Sequence, residues 1–241
     1  LKKYRVLRLK KEDFKFSARF AWKHLAVGLP MGFQFTITAI GTMIQQRAFN
    51  SLSDSGYAKA QSTGSKIDNV FNSLLMGASN TMAVYTGQNF GANDLDRIKK
   101  GSRASLLVGL IYSLVAYGAI VPLCVPFGRI LLKGADEVIY QRIFRYILTQ
   151  SSFYYVLFIL MAFRQSLQSM GYSALTIFGG VTELVMRFFA AVILAENFGF
   201  PGACFSNPCA WTGGAIFFAV SYLIVMKKLE KRHANGEIFV S

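Results

Sequence analysis

Asp68 is the carboxylate with the most telling surroundings. Gln61, Ser65, Asn72 and Ser79 fall on its helical stripe, and no basic residue stands three or four positions away to neutralise it. A carboxyl group among amides and hydroxyls can take up a proton or a monovalent cation, or attract an organic cation. Lys66 is turned roughly 200° away around the helix and groups with Ser62 and Asn69 instead. A second stripe with the same period carries Gln34, Thr38, Gly41 and Gln45, with Thr42 beside it. Glu183 and Arg187, spaced i and i+4, are expected to neutralise each other as a structural ion pair. Catalytic chemistry finds no foothold. There is no HExxH, GxSxG, Walker A or GxGxxG pattern, and the histidines, His24 and His233, flank the apolar region. Cys124, Cys204 and Cys209 lack metal-ligand spacing and read as small packing residues, so no enzyme activity, cofactor or metal site is expected.

The elements that must hold these stripes are membrane helices. Of the 241 residues 53% are hydrophobic and 16% charged, and the mean hydropathy is +0.38. Residues 24–46, 69–93, 104–128, 146–163 and 197–226 contain no charged side chain. Runs of about 20 apolar residues cross a bilayer core. This excludes an ordinary soluble globule, a disordered chain and a disulfide-stapled domain. The net charge of +14 would suggest nucleic acid in a soluble protein, but here it sorts by loop. Eighteen basic residues fall on one side, and Arg47, Lys59, Arg129 and Lys133 on the other. The positive-inside rule then places both termini in the cytoplasm, with no nucleic-acid partner and an even number of spans.

The sixth span is 173–195, which holds Glu183 and Arg187. The map becomes 22–47, 57–88, 103–127, 139–165, 173–195 and 202–226, punctuated by turns at Gly56, 91–94, 126–128, Gly171 and 199–202. Residues 1–23 read as a basic cytoplasmic connector arriving from elsewhere in a longer polypeptide, either lying on anionic lipid or forming a solvated tether. Residues 24–226 read as the transmembrane lobe and 227–241 as a cytoplasmic tail. Arg142 and Arg145 are expected to anchor the fourth span at the outer interface. Pro30 is expected to distort the entry of the first helix, and Pro208 to kink the last span. At about 1.5 Å per residue, Gln34, Thr38 and Asp68 converge near the midplane, so the two stripes are expected to share a wet groove.

Several segments resemble multidrug and toxic compound extrusion (MATE) transporters. "YTGQNFGANDLDRIKKG" (85–101) is similar to the end of their eighth helix, "GLPMGFQ" (28–34) to the start of the seventh, and "SKID" (65–68) to a basic-Ile-acidic element of the eighth. "FRQSLQSMGYS" (163–173) resembles the tenth-to-eleventh junction, "ELVMR" (183–187) the eleventh helix, and "NPCAW" with Tyr222 the twelfth. The order is preserved over nearly the whole chain.

The resemblance implies an all-α polytopic membrane protein: six transmembrane helices forming the C-terminal lobe of a twelve-helix transporter, whose N-terminal lobe is its partner. It implies a secondary antiporter exporting organic, cationic compounds in exchange for protons or sodium ions, in a bacterial inner membrane. Asp68, Gln34, Thr38, Asn72, Gln45 and Ser65 would line the cleft. Sodium-coupled relatives carry acids in the seventh and tenth helices, where Thr38 and Phe153 stand here, so that sodium site does not carry over. The alternatives are a flippase of lipid-linked precursors, which needs a cationic cleft, and a non-transporting membrane scaffold.

Overall fold

A computed structural model describes residues 17–235. The first sixteen residues of the expected connector and residues 236–241 of the expected tail lie outside the described residues. Long helices account for nearly all of the rest: α1 (Ala18–Ser51), α2 (Ser55–Gly91), α3 (Leu95–Leu131), α4 (Glu137–Ser151), α5 (Tyr154–Ser169), α6 (Ala174–Phe189), α7 (Ala195–Cys204) and α8 (Ser206–Ala234). A π-helical turn, Ala190–Leu194, joins α6 to α7.

Four helices among the described residues are long and apolar enough to cross a membrane: His24–Ser51 within α1, α3, α6 through α7, and α8. The α4–α5 pair, bent by 45°, gives a fifth. α2 has the length, 37 residues, but not the apolarity, because polar side chains occupy two of its faces.

Short turns alternate the direction of the helices. Asn93 bonds His233 (3.3 Å) and Lys99 pairs with Glu230 (2.5 Å), so the α2–α3 turn stands beside the end of α8. At the other end Tyr57 stacks on Phe200 of α7, ring centroids 4.9 Å apart. α6 packs on α1 and α8; α2 packs on α3, α4 and α5; α1 and α2 touch only lightly. The core is Tyr146, Tyr154, Phe49, Phe158 and Phe218 with Leu75, Ile120 and Ile143. Leu107, Leu114 and Val115 of α3, Val185 and Phe188 of α6, and Leu223 and Ile224 of α8 point outward, as a lipid-facing surface requires.

Three expectations about helix breaks need correction. The turn expected at 126–128 is helical, and α3 runs through Pro122 and Pro126 to Leu131. Pro30 likewise lies inside α1, which begins at Ala18. Pro208 does not kink α8, because it sits in the first turn, where a missing N–H costs nothing. The break lies upstream, at Phe205 and at Gly199, whose φ of 62° is left-handed.

The α1–α2 turn shows how local chemistry sets a helix start. Asp54 Oδ1 accepts from the Gly56 N–H (2.7 Å), capping α2, and its Oδ2 accepts from Arg142 (2.7 Å). The same guanidinium lies 4.0 Å over the Tyr57 ring, so Arg142 ties α4 to α2 here. The Arg142 side chain, and then the Gly56 amide, hold the Asp54 carboxyl below the ordinary carboxylate range. A carboxyl lowered by folding adds stability at neutral pH and loses it as pH falls through the lowered value. Asp54→Asn should therefore flatten the acid limb of the unfolding-midpoint profile. Equal acid sensitivity in both proteins would show that this contact does not contribute.

Candidate functional site

α2 is polar on two faces. The inward face carries Gln61, Asp68 and Ser79, all buried, with Ser65 and Asn72 half-buried. The outward face carries Ser62, Lys66, Asn69, Ser73 and Asn80, all exposed. Successive members of each set lie three, four or seven residues apart, which is the helical repeat.

The inward face is closed by α4 and α5. Asp68 is 4% exposed. Its Oδ1 accepts from the Tyr154 hydroxyl (2.6 Å) and its Oδ2 from Asn72 Nδ2 (2.6 Å). Two donors aimed at two oxygens suit an ionised, acceptor-only carboxylate. Asn72 Oδ1, however, is buried with no partner. Turning that amide over would offer an acceptor to a protonated Asp68, so the same three side chains can satisfy either state. Ser65 Oγ lies 2.9 Å from the Tyr146 hydroxyl and accepts from Gln61 Nε2 (3.1 Å). Tyr146 gets this close because Gly64 has no side chain; a Cβ there would stand 2.5 Å from its ring. Tyr154 is the first residue of α5, just past the 45° bend, so the carboxylate is bonded directly to that bend.

The stripe on α1 finds a different partner. Gln34, Gly41 and Gln45 are buried, and Thr38, half-buried, donates to the Gln34 carbonyl (3.0 Å). This face lies on α6: Gln34 meets Gly180, and Arg187 fills the space at Gly41, where a Cβ would stand 2.6 Å from Nη1. Gln45 Nε2 is buried without a partner. The expected shared groove is thus corrected. The α1 stripe is covered by α6 and the inward α2 stripe by α4 and α5, and Asp68 lines none of the four cavities described among these residues.

The Glu183–Arg187 bridge is corrected as well. Glu183 pairs with Arg164 of α5, at 3.9 Å, and not with its own helix neighbour. Arg187 leans toward Gly41, and its Nε has no hydrogen-bond partner. Half-buried Arg164 thus takes the carboxylate, and buried Arg187 lies in the same region without an ion pair among the described residues.

Sequence reasoning missed Tyr154, Tyr146 and Arg164. The two tyrosines stand eight residues apart on one span, a helical period that could have marked them. Among the described residues no group of three His, Cys, Asp or Glu side chains could hold a metal ion. The largest cavity described, about 580 Å³, lies at the far end between α1 and the π-helical turn, lined by Arg47, Phe188, Ala191 and Glu196.

Comparison with known proteins bears on this arrangement. The MatE family model matches residues 30–200. A MATE structure in complex with MaL6 superposes with a TM-score of 0.86 at 15% identity, over 96% of this chain and 52% of that one. An outward-facing multidrug resistance MATE family transporter of the MOP superfamily gives 0.84 at 15%, over 92% and 50%. A MOP superfamily transporter from Pyrococcus furiosus Vc1, described as having a binding pocket of reverse polarity that suggests a different function, gives 0.73 at 14%, over 81% and 43%. The chain spans about half the length of these solved structures. No curated protein matches it in sequence.

Proposed function

Because the chain belongs to the MatE family, a family of membrane transporters, we propose that it is the C-terminal lobe of a two-lobe antiporter that exports organic compounds in exchange for protons or sodium ions. The supporting observation is α2, a helix of membrane-spanning length that presents one polar face into its own lobe and another outward. Ordinary lipid contact cannot accommodate a row of Ser and Asn side chains, so the outward row suits a water-filled cleft against a second lobe.

The inward face suits ion coupling. With Asp68 ionised, Tyr154 and Asn72 both donate to it, holding α5 to α2 across the bend. A proton or sodium ion on the carboxylate would weaken its hold on the Tyr154 hydroxyl and alter the α4–α5 angle. An ion can shift a conformational equilibrium only through such a difference in binding between states. The proposed setting is a bacterial plasma membrane with both ends of this chain cytoplasmic, following the loop charges.

Preference for an organic cation would rest on Asp68 and Glu183, both buried in the lobe. One observation favours the second reading, a flippase of lipid-linked precursors: the charge on the outward face is Lys66. The discriminating experiment is efflux by the two-lobe protein in proteoliposomes, with proton and sodium gradients imposed separately. Efflux driven by either gradient supports the antiporter. Gradient-independent movement of a lipid-linked substrate would replace it with the flippase.

A further inference from the structure

We propose that Lys66, flanked one turn away on either side by Ser62 and Asn69, forms a subsite for an oxyanion, a carboxylate or phosphate, of the compound the transporter carries. This deepens the transport reading and rests on it.

Lys66 is exposed and forms no ion pair among the described residues. It lies about 17 Å along α2 from Ser55, well inside a helix of membrane-spanning length. A lone lysine could reach back to the lipid headgroups along its flexible stem. Ser73 donates its hydroxyl to the Asn69 carbonyl and Asn80 accepts from Gln165 of α5. The exposed Ser62 hydroxyl and Asn69 amide beside Lys66, however, are too short to reach the headgroups, so this part of the row must meet water or a solute.

The sign of the charge is the second argument. The exposed carboxylates Asp54, Asp96, Asp136, Glu137, Glu196 and Glu230 all lie at or near helix ends, whereas Asp68 and Glu183 are sealed in the lobe. A solute passing the middle of α2 therefore meets an ammonium group and no carboxylate from this lobe. Lysine offers three N–H donors and no acceptor, and the Ser62 hydroxyl and Asn69 amide add further donors. Such a set complements the negative oxygens of a carboxylate or phosphate.

The test is dye binding by the two-lobe protein in neutral-lipid nanodiscs, using carboxyfluorescein as the anion and a rhodamine of similar size as the cation. Lys66→Gln should weaken carboxyfluorescein binding by about tenfold or more, as expected for loss of a charged hydrogen bond, and leave rhodamine binding unchanged or tighter. Lys66→Arg should retain anion binding. Repeating the titration with phosphatidylglycerol in the discs separates the sources. Competition that depends on Lys66 identifies a lipid phosphate as the occupant, and undiminished dye binding identifies a soluble organic anion; either result supports the subsite.

Equal carboxyfluorescein binding by wild type and Lys66→Gln would overturn the proposal. So would a loss of thermal stability without loss of dye binding, which would mean that an acid of the other lobe pairs with Lys66. Transport is read separately in proteoliposomes: Lys66-dependent binding without movement would sink the transport reading and leave the subsite standing.

Discussion

Asp68→Asn in the two-lobe protein should cut gradient-driven efflux by about 5- to 150-fold, the range given by a coupling free energy of about 1–3 kcal/mol between two sites. The variant should still insert and run as a single species. Asparagine has the shape of a protonated aspartate and can still accept from the Tyr154 hydroxyl, now 2.6 Å from Oδ1. Its new NH₂ faces the Asn72 amide, which must turn to present Oδ1, an atom that has no partner at present. Packing is therefore preserved, and what disappears is the ability to change state. Tyr154→Phe should give a milder defect, because it removes the bond to α5 and leaves the carboxyl able to bind an ion. The most direct support would be an Asp68→Asn protein that exchanges substrate downhill at the wild-type rate yet ignores an imposed proton or sodium gradient. Undiminished gradient-driven efflux would remove Asp68 from the coupling step.

The sequence marked the polar faces but not the helices that cover them. Period alone places Gln34, Thr38, Gly41 and Gln45 on one side of α1, and Gln61, Ser65 and Asp68 on one side of α2. It carries no information about whether those sides meet each other or two different neighbours, which depends on how the whole bundle closes. The same gap explains Glu183. Its i, i+4 spacing to Arg187 permits a bridge, but Arg164 of α5, 19 positions upstream, approaches to 3.9 Å instead. Breaks were misread in both directions. Pro126 and Gly128 look like a turn, yet α3 passes through them, since neighbouring helices can satisfy what a proline frees. The bend at Ser152–Phe153 and the π-helical turn at 190–194 carry no proline or glycine to announce them. Both flank the charged or polar interior, Tyr154 at the first and Arg187 just before the second. Lys66 was legible as belonging with Ser62 and Asn69; that this row is exposed while Asp68 faces inward depends on the packing of α4 and α5.

Glu183→Ala should destabilise the lobe by about 3–5 kcal/mol, the cost of leaving a buried charge uncompensated. Glu183 is 7% exposed and stands between Arg164 of α5 and Arg187 of α6, with the α8 backbone at Gly214 packed against its side chain. Removing it leaves two guanidinium groups with no acid in a region closed by α1, α5, α6 and α8. Glu183→Gln should cost nearly as much, although it keeps the shape, because the loss lies in charge and not in volume. The compensating variant separates the two causes. Arg164→Met added to Glu183→Gln should recover part of the unfolding midpoint in detergent, since it removes one of the two uncompensated guanidinium groups and leaves only Arg187. Should the single variants melt with the wild type, the arginines must already be solvated by water drawn in from the α1–α6 seam, where Arg187 Nε and Gln45 Nε2 are both without partners. Should the double variant stay as unstable as the single, the role of Glu183 lies in packing against Gly214 and not in balancing charge.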